Sequence, residues 1–256
     1  MSGLTEEQVA FFQENGYLLV GQVLTSAEVE ALRERAEWIA SGHAAHIPPE
    51  YLQVEPRVAQ GELEADNYIL SLRKLSHLAW FDDVMLSHAR HPNIVEKIAS
   101  LLGPDLKLYQ DQLFMKPPRV GSRQPYHQDQ PLGFYIDPPD LMVTCWTALD
   151  DVTLENGCLR VLPGTHKNGV LSAEAIQEAE RKALNGKLKE EAPLILKPGE
   201  CSLHHGHILH SSHPNLSGKR RRGYATHYVS ARCRYTGTDP TVSFPLVRGQ
   251  AFPGCL

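Results

Sequence analysis

Apolar residues recur at helical spacing through the first hundred positions of the chain. A capping box at Thr5 predicts a short helix through residue 13 that Gly16 stops, and residues 17–20 follow as a short apolar strand. A second capping box at Thr25 begins a longer helix, and a third helix is predicted to start near Pro92. The apolar face of the longer helix consists of Val29, Leu32, Ala36 and Ile39.

The pattern changes after residue 103, where short apolar runs alternate with turn residues. Strands are predicted at residues 106–115, 141–148, 158–162, 194–196, 201–209 and 223–229. Closely spaced strands of this kind favour a closed or two-layered antiparallel sheet over βαβ units. A polar helix at residues 172–184 interrupts these strands. It is equally compatible with a surface lid and with an insertion that has no functional role. Residues 41–66, which contain three prolines, are predicted to form a loop.

We interpret the chain as a single domain over residues 1–256, mainly β with flanking helices packed on one sheet. Its 256 residues suit one large domain, and neither a repeat nor a linker divides them. Residues 1–103 form a mostly helical flank, and residues 104–235 form the core with a helical insertion at residues 168–192. Residues 236–256 form a C-terminal tail.

Charge and hydropathy narrow the range of partners. The net charge of −5 gives no reason to expect nucleic acid or an anionic membrane, and no apolar run approaches membrane-spanning length. The acidic N-terminus does not resemble a signal peptide. The basic run at residues 219–222 is an exception, and three of its four members are expected to lie in a solvated turn. We therefore expect a small-molecule substrate and a monomer or homodimer.

The cysteines indicate a reducing compartment. The chain has five cysteines, an odd number at wide spacing without a C-x-x-C motif. This arrangement suggests neither a disulfide framework nor a zinc site. Reduced thiols in a cytoplasmic protein are the simplest interpretation.

A His-x-Asp tripeptide at His127 and Asp129 carries the first candidate chemistry. The residue before Pro125 is biased towards an extended conformation, so a strand entry is predicted here. Alternate residues on a strand share a face, which would point both side chains into one barrel mouth. One imidazole and one carboxylate suit a divalent metal, and a second imidazole would complete a facial triad that leaves the opposite side open.

Five histidines between residues 204 and 213 compete to be the third ligand. His210 alone has an arginine eleven positions later, at Arg221, and by strand parity it shares a face with Ser212. The planar guanidinium suits a carboxylate, so Arg221 is expected to bind the distal carboxylate of 2-oxoglutarate beside Fe(II). The neighbouring arginines at 220 and 222 should face the other way, towards solvent or substrate. The remaining histidines, which include His204, His205 and His207, are expected around the ligands or on the surface.

Several motifs in fixed order extend this pattern. They are Phe12-x-x-x-Gly16-Tyr17-Leu18, Lys116-Pro117-Pro118, His127-Gln128-Asp129, Trp146-Thr147-Ala148, Glu155-Asn156-Gly157-Cys158-Leu159, Leu162-Pro163-Gly164-Thr165-His166-Lys167 and His210-Ser211-Ser212-x-x-Asn215 through Arg221. With these motifs, the chain resembles the phytanoyl-CoA dioxygenase family over roughly residues 5–232.

The resemblance implies a fold, a chemistry and further site residues. It implies a double-stranded β-helix (jelly-roll) core and an Fe(II)- and 2-oxoglutarate-dependent dioxygenase that uses O2, with ascorbate as a supportive reductant. Further cosubstrate contacts fall by matching position on Lys74, Gln112, Trp146 and Ser212. Residues 130–139, the helical insertion and the tail depart from the family pattern, so its substrate is not carried over.

The reading that we favour is oxidation of an unactivated C–H bond in a small organic molecule, with release of succinate and CO2. The carboxylate of Asp129 favours hydroxylation over halogenation, because related halogenases lack it. Three alternatives stay open. They are an acyl-CoA-specific 2-hydroxylase whose CoA phosphates would meet residues 219–222, a cupin-type zinc or manganese enzyme, and a jelly-roll that binds a metal or ligand without turnover.

Overall fold

The computed structural model of the chain describes residues 2–130, 135–138, 142–188, 190–239 and 241–256. The α-helices are α1 (Glu6–Asn15), α2 (Ser26–Ala40), α3 (Pro56–Ala59), α4 (Tyr68–Ser71), α5 (Asp83–Ala89), α6 (Pro92–Leu102) and α7 (Ala173–Leu184). Short 3-10 helices lie at Pro49–Tyr51, Leu78–Trp80 and Thr165–Asn168. No helix of the described ranges is both long enough and apolar enough to cross a membrane.

The strands form antiparallel sheets. They are β1 (Tyr17–Gln22), β2 (Leu52–Val54), β3 (Leu72–Ser76), β4 (Leu106–Phe114), β5 (Gln124–His127), β6 (Ile136–Asp137), β7 (Met142–Ala148), β8 (Leu159–Val161), β9 (Ala192–Leu194), β10 (Glu200–His205), β11 (His210–Ser212), β12 (Gly223–Ser230), β13 (Arg234–Tyr235) and β14 (Leu246–Arg248). The larger sheet has the order β1-β10-β7-β12-β4-β3-β2, with β14 paired to β4. The smaller sheet has the order β5-β11-β8-β9, and β13 pairs with β6.

Local signals in the sequence correctly located the N-terminal elements. Both capping boxes form, at Thr5 and at Thr25, and Gly16 ends α1 with the left-handed φ of 78°. The predicted apolar face of α2 is buried, from Val29 to Ile39. The buried face of α2 packs with α6 in one core cluster, which also contains side chains of β7, β10 and β12. The N-terminal helices therefore cover one face of the larger sheet, as predicted.

Some predicted boundaries differ from the structure. The loop predicted at residues 41–66 is wrong in part, because two of its prolines begin the short helices at Pro49 and Pro56 and β2 pairs there with β3. The strand predicted at 194–196 lies at Ala192–Leu194, where it pairs with β8. The strand predicted at 201–209 ends at His205, because a turn closes there through a hydrogen bond from the Ile208 amide to the His205 carbonyl.

The insertion helix predicted at residues 172–184 is confirmed as α7, and Ser172 caps it. Position 141, where another strand was predicted to begin, lies outside the described residues; β7 is described from Met142. The division of the chain into flank, core and tail stays a prediction.

Strand register places side chains in rows across the face of the larger sheet opposite the helices. One row consists of His204 on β10, Thr144 on β7, His227 on β12 and Gln110 on β4. The next row runs through Ser202, Trp146, Ala225, Gln112 and Ser76. Directly opposed residues of paired strands point to the same side, so each row presents its side chains together.

A glycine at the start of β12 allows the Trp146 ring to approach the backbone closely. A Cβ at Gly223 would lie 1.9 Å from the Trp146 ring, so Gly223→Ala must displace that ring or the strand. Overpacking of this kind typically costs roughly 1–3 kcal/mol of unfolding free energy. Denaturant unfolding should show this loss for Gly223→Ala and little change for Gly218→Ala, where the nearest atom would lie 3.6 Å away. Equal losses in the two variants would contradict this explanation.

Candidate active site

Pairing of β5 with β11 brings two histidines together. His127 and His210 are register partners, and their ring centroids are 4.2 Å apart. The Nε2 atoms of His127 and His210 lie 4.0 Å and 3.5 Å from Oδ1 of Asp129. One donor atom from each of the three residues lies within 4.8 Å of the other two. This spacing allows all three to bind a single ion.

Both imidazoles are oriented by backbone carbonyls. His127 Nδ1 lies 2.8 Å from the Pro125 carbonyl oxygen, and His210 Nδ1 lies 3.2 Å from that of Ile208. A ring that donates through Nδ1 leaves the Nε2 lone pair free for a metal. Burial lowers the pKa of His210 to about 4 and also lowers that of His127, so both rings are neutral near pH 7.

Asp129 reaches the histidines in a different way from the one predicted. β5 ends at His127, so Asp129 lies in the bend that follows and not on the same strand. Gln128 fixes this bend, because its amide donates to the carbonyls of Gly169 and His207 at 2.9 Å and 2.5 Å and accepts from the Leu171 amide. A buried glutamine therefore orients the carboxylate beside it.

The second oxygen of Asp129 faces the larger sheet. Oδ2 accepts a hydrogen bond from Thr144 Oγ1 at 2.6 Å and lies 3.0 Å from His204 Nε2 and 3.5 Å from His227 Nε2. Burial acts to raise the pKa of Asp129, but His210, His227 and the His204 contact outweigh it and hold that pKa well below its usual value. The carboxylate therefore stays ionised, with Oδ1 directed towards the two histidine ligands.

Two of these contacts went beyond the sequence prediction. His204 was expected around the ligands or on the surface, and the structure buries it against Asp129; His207 is also buried. Thr144 and His227 were not identified as site residues. Strand alternation and the register of β7, β10 and β12 together would predict these two residues. Register depends on pairing between distant strands, which a single sequence does not reveal.

Arg221 lies in a buried position just before β12. Its amide donates to the Lys116 carbonyl at 3.1 Å, and the buried Asn215 side chain holds the loop by donating to the carbonyls of Lys116 and Lys219. The guanidinium carbon lies 5.2 Å from the centroid of the Trp146 ring, and Nη2 donates to the Gly157 carbonyl at 2.5 Å.

The Arg221 guanidinium has unused hydrogen-bonding capacity. Its buried Nε has no hydrogen-bond partner, and no carboxylate among the described residues pairs with it. Burial lowers its pKa to about 10, so it stays charged at neutral pH. An unpaired buried charge is costly, which favours an anionic ligand at this position.

A buried lysine lies beside Arg221. Lys116 Nζ donates to Ser212 Oγ at 2.9 Å and to the His213 carbonyl. Burial and then the charge of Arg221 lower the pKa of Lys116 to about 6, so its amine is mostly neutral at pH 7. The sequence indicated Lys116 only as part of a motif, and the structure places it in the pocket wall. Arg221 supplies the charge that suits one end of a dicarboxylate, and Lys116 and Ser212 supply hydrogen-bonding groups beside it.

We call the space around Arg221 the inner pocket. Its lining includes the predicted residues Gln112, Trp146, Ser212 and Arg221 together with His127, Asp129 and His210. Lys74 does not line the inner pocket. It lies instead on the wall of an adjoining outer cavity, which also includes His127 and Asp129.

Two arginines of the basic run form ion pairs, whereas Lys219 is exposed. Arg222 Nη2 lies 2.9 Å from Asp150 Oδ1, and both Arg220 and Arg222 pair with Glu37 on α2. The prediction that these two arginines face solvent or substrate is therefore wrong. The acidic groups that pair with them lie on distant segments of the chain, so the sequence alone gave no sign of them.

The contact from Thr144 to Asp129 can be tested without changing a proposed ligand. Thr144→Val should weaken Fe(II) binding about 10- to 100-fold, as is typical when a group that orients a metal ligand is lost. Fe(II) affinity can be measured by competition with a chelator. Thr226→Val is the matched control, because Thr226 is also buried but bonds to the Cys145 carbonyl at 3.4 Å. If both variants bind Fe(II) like the wild type, the contact does not orient the ligand.

Comparison with known proteins identifies the family. Residues 12–223 match the family described as Phytanoyl-CoA dioxygenase (PhyH). The peroxisomal phytanoyl-CoA dioxygenase of Homo sapiens is 30% identical over 251 residues, which cover 93% of this chain and 72% of the human protein. The probable phytanoyl-CoA dioxygenase of Caenorhabditis elegans is 30% identical over 253 residues, covering 93% of this chain and 80% of that protein.

Solved structures show the same fold. A nickel complex of the non-heme monooxygenase ThoJ is 26% identical with a TM-score of 0.70, and the alignment covers 97% of this chain and 86% of that one. EctD from S. alaskensis with 2-oxoglutarate and 5-hydroxyectoine has a TM-score of 0.76 at 21% identity, covering 100% of this chain and 87% of that one. The EctD likeness concerns the fold alone. With the family match over most of its length, the chain belongs to the phytanoyl-CoA dioxygenase family.

Proposed function

We propose that this chain, a 2-oxoglutarate-dependent non-haem iron dioxygenase by its family, hydroxylates or otherwise oxidises an unactivated C–H bond of a small organic molecule. Succinate and CO2 would be the products of the cosubstrate. The observation that carries the proposal is the buried Arg221, which lacks a carboxylate partner among the described residues and lines the same pocket as His127, Asp129 and His210.

The donor set fits Fe(II). Nε2 of His127, Oδ1 of Asp129 and Nε2 of His210 would hold it from one side, in the two-histidine, one-carboxylate arrangement of non-haem iron oxygenases. Fe(II) bound there supplies the activation of O2 with 2-oxoglutarate as the electron source. Because both imidazoles are neutral near pH 7, no proton has to leave before the metal binds.

The inner pocket would orient the cosubstrate. Arg221 would bind the far carboxylate of 2-oxoglutarate with its planar guanidinium, and Ser212 and Lys116 would flank that carboxylate. Trp146 would cover one side of the pocket, since it already lies against the guanidinium. Gln112 lines the wall between the inner pocket and the outer cavity.

The alternatives have less support. The names of the phytanoyl-CoA relatives support the acyl-CoA hydroxylase in part, but it would need free cations for CoA phosphates, and Arg220 and Arg222 are engaged by Glu37 and Asp150. A cupin-type zinc or manganese enzyme leaves the unpaired buried Arg221 unexplained. A jelly-roll without turnover would not need the full set of ligand and anchor residues.

For the compartment we propose the cytoplasm. All five cysteines are free, and four of them are buried, which suits reducing conditions. The human relative is named as peroxisomal, and the interior of that organelle is the alternative to test. Fractionation of cells that express the full chain would distinguish the two.

Loss of one metal ligand should abolish turnover. Anaerobic Fe(II) and 2-oxoglutarate should give the wild type a weak visible charge-transfer band that oxygen bleaches, with succinate formed. Asp129→Ala should form no measurable succinate, because the ion then has only two protein ligands. Succinate formation by Asp129→Ala at the wild-type rate would contradict the triad.

The contribution of the planar Arg221 guanidinium can be tested separately from that of its positive charge. Arg221→Lys keeps a cation but loses the planar guanidinium. The 2-oxoglutarate concentration that gives half of the maximal charge-transfer absorbance should therefore rise about tenfold or more. Fe(II) content should stay near that of the wild type. Arg220→Lys is the matched neighbour and should leave the 2-oxoglutarate requirement unchanged. Equal loss of iron and 2-oxoglutarate binding in Arg221→Lys would indicate misfolding and not a role in binding the cosubstrate.

A further inference from the structure

The two histidines of the proposed metal site are oriented in the same way, each through a single peptide group. Nδ1 of His127 donates to the Pro125 carbonyl, and Nδ1 of His210 donates to the Ile208 carbonyl, two residues earlier in both cases. A carbonyl shares its planar peptide group with the N–H of the next residue. The N–H of the residue just before each histidine therefore belongs to the same rigid unit as the carbonyl that holds the ring.

Both of these N–H groups donate to a side-chain oxygen from another segment. The Tyr126 amide donates to Glu180 Oε2 at 3.1 Å, and the Leu209 amide donates to Thr165 Oγ1 at 2.9 Å. Thr165 Oγ1 donates its own proton to the Leu162 carbonyl at 2.7 Å, which leaves its lone pairs for the amide. Both rings therefore end a hydrogen-bonded chain of the same kind, which runs from the imidazole through one peptide group to a side-chain oxygen.

An acceptor at the far end of such a chain affects the ring in two ways. A planar peptide group that is bonded at both its N–H and its C=O keeps its orientation, and so does the carbonyl that meets the ring. Hydrogen bonds in a chain also polarise one another, so an acceptor at the N–H makes the carbonyl a stronger acceptor. A carboxylate that accepts directly from a metal-binding histidine likewise fixes its tautomer and orientation. Glu180 and Thr165 would act in this way across one peptide group.

Glu180 covers a strand edge that needs acceptors. β5 has β11 as its one strand neighbour among the described residues, so backbone N–H groups on its other edge depend on groups outside the sheet. Glu180 supplies an acceptor from α7, and its Oε1 pairs with the Arg123 guanidinium. The Glu180 side chain is 18% exposed, which limits competition from water for both contacts.

The body of α7 packs against the same part of the structure. Its apolar side chains contact a buried cluster that contains Tyr126 and Leu209, the residues whose amides form the contacts above. These apolar side chains are Ile176, Ala179 and Ala183. The segment before α7 bonds to Gln128, so the insertion holds the residues on both sides of His127. This anchoring favours a fixed support over a lid.

We propose that Glu180 and Thr165 are positioning residues, which orient His127 and His210 respectively through one peptide group each. The helical insertion then serves as a fixed support for the metal site. Neither side chain lines the inner pocket or the outer cavity, so their effect reaches the ion through the two rings. This role rests on the function proposed above, because it requires a metal at the two histidines.

The Glu180 contact can be tested by Fe(II) affinity, measured without cosubstrate by competition with a chelator. Glu180→Ala removes the acceptor and should weaken Fe(II) binding about tenfold, the lower end of the range for groups that orient a metal ligand. Glu180→Gln keeps an oxygen that can accept from the Tyr126 amide, so it should recover most of this loss. Glu178→Ala is the matched control and should bind Fe(II) like the wild type, because Glu178 is 46% exposed and pairs with Arg181 and Lys182 of the same helix.

The Thr165 contact can be tested by a pair of variants that differ in one oxygen. Thr165→Val keeps the shape of the side chain but loses the acceptor, so Fe(II) binding should weaken about tenfold. Thr165→Ser keeps the oxygen and should bind Fe(II) within about threefold of the wild type. Co(II) in place of Fe(II) provides a spectroscopic signature, because its visible d–d bands depend on ligand geometry. The bands should change in Thr165→Val and Glu180→Ala and stay like those of the wild type in Thr165→Ser.

Thermal unfolding and a 2-oxoglutarate titration at saturating Fe(II) separate positioning from a general loss of the fold. The 2-oxoglutarate concentration that gives half of the maximal charge-transfer absorbance should stay within about twofold of the wild type, because Arg221 lies outside these contacts. Wild-type Fe(II) affinity in Glu180→Ala or Thr165→Val would overturn the role of that residue. A loss that Glu180→Gln and Thr165→Ser do not recover, or an equal loss in Glu178→Ala, would overturn the proposal.

The Fe(II) affinities do not depend on the charge-transfer band. A wild type that binds Fe(II) but gives no band with 2-oxoglutarate would contradict the proposed function, while the comparison of variants would still decide whether Glu180 and Thr165 position the histidines.

Discussion

The carboxylate of Asp129 is the contact on which the rest of the site depends. Its two oxygens face different partners: Oδ1 is directed towards the imidazoles of His127 and His210, and Oδ2 towards three side chains of the larger sheet. Those three, Thr144, His204 and His227, belong to one row across β7, β10 and β12. The sheet therefore fixes the orientation of the carboxylate, and one oxygen stays available to a metal. A carboxylate that binds through one oxygen leaves more coordination positions for other ligands.

The buried guanidinium of Arg221 defines what else the site can hold. Burial lowers its pKa to about 10, so it stays charged at neutral pH, and among the described residues the Gly157 carbonyl is the acceptor that meets it. The pKa of Lys116 beside it is lowered to about 6, so this amine is mostly neutral at pH 7 and acts as a hydrogen-bond donor. A buried charge of this kind costs free energy of folding, which a ligand of opposite charge recovers on binding. The inner end of the site therefore suits a carboxylate of a cosubstrate that reaches the metal.

Local sequence signals predicted a large part of this structure. Capping boxes located α1 and α2, and hydrophobic periodicity identified the central strands, because each signal acts between residues close in sequence. The side chains of His127, Asp129 and His210 came from spacing and donor chemistry, and the structure brings their donor atoms together. The features that could not be predicted depend on contacts between residues distant in sequence. His227 and Thr144 reach the site through strand register, and Arg220 and Arg222 form ion pairs with partners on other segments.

The unequal predictability of these features follows from where they lie in the sheet. The central strands β7, β10 and β12 are flanked on both sides, so they are nearly fully buried and their apolar pattern is strong. They carry the row that holds Asp129, and with it the proposed oxygen chemistry. The short strands β3 and β2 end the same sheet, are only partly buried and give weak patterns, yet they carry Gln53 and Lys74. Leu72 and Leu75 of β3 belong to the hydrophobic core, but Gln53 and Lys74 do not, so substitutions at these two positions of the cavity wall disturb little of the core. Family resemblance therefore reports the reaction well and the substrate poorly, and the substrate has to be inferred from the chemistry of that wall.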